Sequence, residues 1–332
     1  MARVFIDGFE SGDLGLWDNI IGSPTVDSGI SGMDGTYCVN LTSNTQSIST
    51  PLPAADEYYL AFLYKPTYET FEATLVFFLN GSTVLGSLCK NTATNGNTLK
   101  IRRGNEESGT ILATGTAVFN LNTVNLIEVR YKPHTSTGVF QVKVNGVLDI
   151  DFSGQTASSI LQINRFSLGR YGAAGYAYGY FDNVVVDNSN FPGNTKIQAI
   201  MPASAGNSTQ WTPSSGSNWD CVEETPPSDS DYNYTNTNDM IDLFTFQDLS
   251  GSIESIKCVQ VQARAKYEGA PTPTKLQLGV RRSSTNYFSG SKDLTTAFKQ
   301  HFHLWEQDPS TSAAWTTSGV NAAEFGYKAV SS

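Results

Sequence analysis

The feature that most constrains this chain is a short hairpin pattern at residues 142–150, Val-Lys-Val-Asn-Gly-Val-Leu-Asp-Ile. Asn145 and Gly146 stand between two runs in which apolar and polar residues alternate. Asn and Gly adopt positive φ more readily than other residues, and a type I′ turn requires positive φ at both central positions. The pattern therefore predicts two antiparallel strands, each with one face towards a core.

Alternating or apolar runs of strand length recur along the chain, at residues 57–65, 126–132, 255–266 and 275–281. Charged residues make up only 16% of the 332 residues, and no stretch combines helical periodicity with Leu, Ala, Glu and Lys. Composition and pattern together predict an all-β protein. Its length is sufficient for two cores.

A polar segment with Pro and Gly, at residues 187–194, separates the two halves. Such segments are typical of domain boundaries. We therefore expect two β-sandwich (jelly-roll-like) domains in tandem, at residues 1–188 and 197–332, joined by a linker at 189–196. A second β-rich unit is expected to start at residues 195–200. A structureless run as long as the polar stretch at 203–240 is expected only as a binding loop or along a neighbouring subunit.

Three segments of the first half together resemble a known fold. They are Phe5-Ile-Asp-Gly-Phe-Glu-Ser-Gly-Asp-Leu, the Asn145-Gly146 hairpin, and Tyr180-Phe-Asp-Asn-Val-Val-Val-Asp. In this order and at this spacing they resemble the laminin-G-like (concanavalin-type) β-sandwich. The resemblance implies a binding module, unless particular carboxylates line one face of a sheet.

Hydrolases of the laminarinase type on this scaffold carry two Glu residues around an Asp on one strand, because side chains two residues apart share a face. No such triplet occurs here. Glu69 and Glu72 have the wrong spacing, and so do Glu106 and Glu107. Asp149-Ile-Asp151 shares a face but has no partner Glu. We therefore predict that the chain is not an enzyme. We expect these acidic residues to lie at solvated strand ends.

Asp7, Glu10 and Asp182 are the candidate metal ligands. They meet if the first and last strands of the first domain are neighbours, and carboxylates with backbone carbonyls are the oxygen ligands that Ca²⁺ prefers. The resemblance implies that calcium here is structural. In the alternative interpretation, Asp7-Gly8 is a turn and Glu10 a surface charge. Both interpretations stay open.

Other residues with chemical potential lie in the second half. His301 and His303 share a strand face, but no acidic residue stands at a recognisable ligand spacing, so a metal there is disfavoured. Four tryptophans are expected in packing rather than on sugars, namely Trp211, Trp219, Trp305 and Trp315. The cysteines are unpatterned and are expected as packed thiols, with intradomain bridges left open, namely Cys38, Cys89, Cys221 and Cys258.

The formal net charge is −10, and neither half has a basic stripe, which argues against nucleic-acid binding. No run of about 18 apolar residues is present, so we expect no membrane span. Met1 leads directly into the first predicted strand without an apolar segment. We therefore expect no secretory signal, and synthesis in a cytoplasm.

The second half resembles a module of tailed-bacteriophage virion proteins, in which it often follows a laminin-G-like domain. The segments that carry this resemblance are residues 205–227, 259–266, 303–316 and 319–328. The resemblance implies a structural protein on the exterior of the virion, as a capsid decoration or head fibre, or as part of a tail tip or tail fibre. It also implies a homo-oligomer, with a trimer as the expected state.

We therefore expect a non-enzymatic virion protein whose laminin-G-like domain binds glycans or adsorbs to the host. A carbohydrate-active depolymerase and a free bacterial lectin or adhesin are the alternatives. The position on head or tail, the glycan and the domain that anchors the chain to the particle stay open.

Overall fold

A computed structural model describes residues 3–43, 46–105, 108–169, 177–269 and 273–331. The chain divides into two compact units. The first comprises Met1–Glu10 and Leu16–Ile197, and the second comprises Ser11–Gly15 and Gln198–Ser332. Strands dominate both units, which confirms the all-β prediction. Within the described ranges, no helix is long and apolar enough to cross a membrane.

The described residues of the first unit form fifteen strands. They are β1 (Arg3–Asp7), β2 (Asn19–Ile21), β3 (Thr25–Ser28), β4 (Tyr37–Leu41), β5 (Ser47–Ala55), β6 (Tyr58–Pro66), β7 (Ala73–Asn80), β8 (Thr83–Lys90), β9 (Leu99–Arg103), β10 (Thr110–Thr114), β11 (Asn125–Lys132), β12 (Gly138–Val144), β13 (Val147–Gly154), β14 (Ile163–Gly169) and β15 (Gly179–Asp187). As described, they pair into two antiparallel sheets. An eight-stranded sheet has the order β13-β12-β11-β6-β15-β4-β3, with β1 also on β15, and a seven-stranded sheet has the order β10-β9-β8-β7-β14-β5-β2.

The predicted hairpin is β12–β13. Asn145 has φ 51° and Gly146 has φ 82°, so both central residues have the positive φ of a type I′ turn. Val144 pairs with Val147 across the turn. The prediction made from Asn145-Gly146 is confirmed.

The core of the first unit lies between the two sheets. Tyr131 of β11 stacks on Phe78 of β7 at 4.9 Å and contacts Phe140 of β12 at 4.6 Å. Gly86 of β8 also faces this cluster, because a Cβ there would lie 2.7 Å from Tyr131. A side chain that points away from this cluster therefore lies on the outer face of its sheet.

Residues 191–197 pack on the first unit. The Gly193 amide donates to Glu128 at 2.8 Å, and the Ile197 amide donates to Asn183 at 3.0 Å. The Phe191 ring contacts Tyr59 edge-on, and the Lys143 ammonium lies 4.0 Å from its centre. No strand of the described elements covers residues 195–200, where the second β-rich unit was expected to start. The Ile197 amide bonds to a side chain of the first unit instead of to a sheet.

The described residues of the second unit form ten strands and one short helix. They are β16 (Pro202–Thr209), β17 (Thr212–Pro213), β18 (Asn233–Tyr234), β19 (Ile241–Phe246), β20 (Val259–Ala265), β21 (Lys275–Arg282), β22 (Thr285–Phe288), β23 (Lys292–Asp293), β24 (Lys299–Trp305), β25 (Glu324–Val330) and α1 (Thr317–Asn321). A sheet of the order β16-β19-β25-β21-β22, with β23 on β21, packs against the two-stranded β20–β24 sheet. Val261 of β20 joins Leu278, Phe325 and Trp315 in one buried cluster.

Candidate functional site

Three aromatic rings of the first unit form an aromatic platform, which we define as Tyr68, Phe71 and Tyr178. Their planes lie within 13° to 22° of one another, and the distances between ring centroids are 5.1 to 6.0 Å. Tyr68 is 45% and Phe71 47% exposed, so two of the three rings face solvent. Grouped, exposed aromatic rings of this kind are uncommon on a protein surface without a binding role.

The loop that carries the platform is held at both of its ends. Glu69 accepts the Leu121 amide through its carboxylate at 3.2 Å and the Ala93 amide through its backbone carbonyl at 2.8 Å. The Thr67 amide donates to the carbonyl of Tyr178 at 2.8 Å. Tyr178 itself has φ 47°, an uncommon conformation for an aromatic residue. These contacts hold the backbone of the loop that carries the rings.

Two basic side chains lie next to the platform loop, and we call Lys100 and Arg102 the cation pair. Both are on β9, two residues apart, and therefore share a face. Both contact the carboxylate of Glu72, which directly follows Phe71. Lys100 forms a close ion pair with Glu72, and Arg102 Nη2 lies 3.5 Å from Glu72 Oε1.

The cation pair belongs to the outer face of the seven-stranded sheet. Arg102 pairs with Ser87, which pairs in turn with Phe77 of β7, whereas the core-facing Phe78 lies on the other side. The row continues through Ser167 to Ser49. These serines are buried, and the Ser87 hydroxyl donates to the Gly104 carbonyl at 2.9 Å. The row thus consists of three buried serines and the buried Phe77, and Arg102 is its long polar side chain.

Asp7, the first predicted calcium ligand, points into the core. Its Oδ1 accepts the Phe9 amide at 2.8 Å, and its Oδ2 accepts the indole N–H of Trp17 at 2.7 Å. Trp17 packs edge-on against Phe5 and Phe166. Both carboxylate oxygens of Asp7 are therefore engaged in the turn at Gly8 and in core packing.

Glu10 and Asp182, the other two predicted ligands, lie near each other with Asp34, and we call these three residues the acidic cluster. Asp182 is 1% exposed, its Oδ1 accepts the Asn183 amide at 2.6 Å, and its Oδ2 has no hydrogen-bond partner in the described ranges. Burial, followed by the charges of Glu10 and Asp34, raises the pKa of Asp182 to about 8. Burial also raises the pKa of Glu10, although that carboxylate accepts the Thr36 amide at 2.9 Å.

The donor chemistry of the acidic cluster suits a hard cation, since carboxylates are the preferred ligands of Ca²⁺. A bound cation would supply the positive charge that the buried Asp182 carboxylate lacks. As the described residues stand, however, no three of their His, Cys, Asp or Glu side chains surround one ion position.

The histidines and tryptophans of the second unit serve packing. On β24, His301 is paired with Ala263 and His303 with Val261 of the buried cluster. Burial lowers the pKa of both histidines. Trp315 is 3% exposed and donates to the carbonyl of Trp305 at 2.9 Å. All four cysteines are free thiols, and Cys258 is the one that is only half-buried.

No family model matches this chain, and no curated protein matches it. It is similar to several solved structures at low identity. Alginate lyase Aly36B is 15% identical over 48% of this chain and 82% of its own, with a TM-score of 0.36. Domain 4 of AbnA, an extracellular arabinanase from Geobacillus stearothermophilus solved with arabinotriose, is 14% identical over 56% and 92%, with a TM-score of 0.38. The galectin LEC-6 of Caenorhabditis elegans is 11% identical over 42% and 89%, with a TM-score of 0.31.

The prediction that the chain is not an enzyme is contradicted by this set of structures, because it includes the alginate lyase. That prediction was drawn from the absence of a hydrolase triplet. The absence of that triplet bears on hydrolysis alone.

Sequence analysis identified neither the aromatic platform nor the cation pair. Tyr68 and Phe71 lie in a turn segment, Pro-Thr-Tyr-Glu-Thr-Phe-Glu, that follows β6 and has no strand period. Two large aromatic residues in a segment otherwise built of turn and charged residues are the signal that was available. Tyr178 and Lys100 are far away in sequence and meet this segment only through the fold.

Proposed function

We propose that the first unit binds carbohydrate through the aromatic platform of Tyr68, Phe71 and Tyr178. The proposal is supported mainly by the exposed, near-parallel rings of Tyr68 and Phe71, which lie on a loop held by backbone hydrogen bonds. One face of a sugar ring is lined by C–H groups, and a flat aromatic surface removes these from water. A platform fixed in advance loses little conformational entropy on binding.

A glycan array tests this proposal. The protein and its Tyr68→Ala/Phe71→Ala variant are applied to the same array, and the variant is expected to lose the signal of every glycan that the parent binds. The matched control is Tyr232→Ala/Tyr234→Ala, which removes two exposed tyrosines, 40% and 53% exposed, from the second unit. Equal binding by the parent and the platform variant, or no glycan bound by the parent, would refute the proposal. Assay of the same glycans for new reducing ends separates binding from cleavage.

We further propose that the chain is a structural protein displayed on the exterior of a tailed-phage particle, with the first unit available for host-surface glycans. Support comes from the second-half segments at 205–227, 259–266, 303–316 and 319–328, which resemble a module of such virion proteins. Electron microscopy of particles labelled with an antibody to this chain tests the proposal. Label on the head favours a capsid decoration and label on the tail a tip or fibre component, whereas unlabelled particles would contradict it.

Self-association is part of the same proposal, with a homotrimer as the expected state. Sedimentation equilibrium of the full chain measures it, because a trimer has three times the mass of 36.0 kDa. A monomer at all concentrations would contradict the proposal.

We also propose that a structural calcium ion is bound by Glu10 and Asp182, with Asp34 as the neighbouring carboxylate. The supporting observation is the buried Oδ2 of Asp182, which has no partner in the part of the chain that the structure describes. Thermal melting with calcium and with a chelator tests it. An unchanged melting temperature would overturn the proposal.

A further inference from the structure

We infer that the glycan bound at the aromatic platform is acidic, and that the cation pair of Lys100 and Arg102 binds its carboxylate. This inference rests on the proposed function and names its ligand class. It concerns a feature that stacking alone does not require, namely two basic side chains at the end of the platform loop.

Arg102 has an incompletely used guanidinium group. Its Nη1 donates to the Gly109 carbonyl at 2.9 Å, and within the described ranges its Nη2 has only the 3.5 Å contact with Glu72. Its Nε is buried and has no acceptor among the described residues. Nε and Nη2 form the edge of a guanidinium group that a carboxylate takes with two parallel hydrogen bonds. That edge is the one left without a full set of acceptors.

The local charge also favours an acidic ligand. Two cations share the single carboxylate of Glu72, in a chain whose formal net charge is −10. The side chains of Lys100 and Arg102 are 7% and 12% exposed, so water compensates their charges only weakly. Glu72 is the most exposed of the three at 31%. It therefore stands where an incoming carboxylate would compete with it for the cation pair.

Glu72 connects the cation pair with the loop of the aromatic platform. Phe71 and Glu72 are consecutive, so the Cα atom that carries the ring and the Cα atom that carries the carboxylate are about 3.8 Å apart. Glu72 thus links the loop that carries Phe71 to the cation pair. One oligosaccharide can engage both.

The test compares each polysaccharide with its carboxyl-reduced counterpart, because the two differ only in the acid group. Polygalacturonate, polyglucuronate and hyaluronan are the probes, and affinity is measured at low and high salt. We expect the acidic form to bind more tightly than the reduced form, and the difference to shrink as salt screens the contact. Equal affinity for both forms of every pair that binds would overturn the inference and leave the platform proposal intact. Binding of neither form of any probe would overturn the inference, and the glycan array then tests the platform proposal on its own.

Three variants locate the effect. Arg102→Gln is expected to weaken binding of the acidic form by about tenfold or more, since a charge-assisted hydrogen bond contributes roughly that factor, and to leave the reduced form unchanged. Glu72→Gln removes the competing carboxylate and is expected to strengthen binding of the acidic form only. Arg130→Gln is the matched control, because Arg130 forms a similar ion pair with Glu57 on the other sheet. Retained binding of the reduced form shows that each variant is folded.

An Arg102→Gln variant that binds the acidic form as the parent does would overturn the inference. So would a Glu72→Gln variant that weakens both forms equally, because Glu72 would then only hold the loop.

Discussion

The pH dependence of stability provides a direct test of the acidic cluster. Burial holds the pKa of Asp182 at about 8 in the folded chain, against 3.8 for an ordinary aspartate. Because the pKa is raised on folding, the folded state favours the protonated form. The stabilising contribution is complete below pH 4 and is lost as the pH rises towards 8. One pKa unit corresponds to 1.36 kcal/mol, so the loss is about 4 kcal/mol at pH 7.

Asp182→Asn removes this titration, and the assay compares its unfolding with that of the parent chain at pH 5, 6, 7 and 8 in the presence of a chelator. The free energy of unfolding of the parent is expected to fall relative to the variant by about 1.4 kcal/mol per pH unit, the value for one proton. Taking the difference between the two chains cancels the titration of His301, His303 and other groups. The variant places an amide NH2 group where Oδ2 has no hydrogen-bond partner, and the free-energy cost of leaving this group unpaired is independent of pH.

If the free energy of unfolding has the same pH dependence in the parent and in Asp182→Asn, the argument is refuted. The same measurement in calcium is the second part of the test. A cation bound by the Asp182 carboxylate favours the charged form, so saturating calcium is expected to remove the decline of stability between pH 5 and 8. A decline that persists in calcium would show that no ion binds this carboxylate.

Three further predictions concern packing, each measured by denaturant unfolding. Gly86→Ala places a Cβ 2.7 Å from Tyr131 and is expected to cost about 1–3 kcal/mol from overpacking, whereas Gly290→Ala, with nothing within 4 Å, is expected to be neutral. Trp17→Phe removes the indole N–H that Asp7 accepts, with an expected cost of about 1–3 kcal/mol, and an unchanged stability would show that this hydrogen bond is dispensable. Arg282→Gln removes the partner of the buried Asp308 in the second unit, and we expect a loss of about 3 kcal/mol. A loss of only a few tenths of a kcal/mol would mean that the hydrogen bonds from Ser310 are sufficient to stabilise the buried Asp308 carboxylate.

Local pattern was sufficient to predict the strands and their turns. The Asn145-Gly146 hairpin and strand β21 agree with expectation, because alternation and turn chemistry act over a few residues. The strand predicted from residue 255 begins only at Val259. The polar run at 203–240 shows no strand pattern, yet Pro202–Thr209 forms β16 at the edge of its sheet. An edge strand that is exposed on both faces has no alternation to recognise.

The candidate site depended on contacts that sequence separation conceals. Neighbouring terminal strands brought Glu10 close to Asp182, as the expectation required, since β1 pairs with β15. Asp7 instead points to Trp17, because its side chain is on the core face of β1. Asp34 reaches the cluster from a loop between β3 and β4. Tyr178 joins Tyr68 across a separation of more than a hundred residues, and no periodicity indicates such a contact.

The most direct test of carbohydrate binding is calorimetric titration of the tightest array ligand into the parent chain, the Tyr68→Ala/Phe71→Ala variant and the Tyr232→Ala/Tyr234→Ala control. Loss of two stacking rings removes apolar burial worth a few kcal/mol, so the platform variant is expected to bind at least about tenfold more weakly. The control is expected to match the parent. Affinities within twofold for all three proteins would contradict binding at the platform.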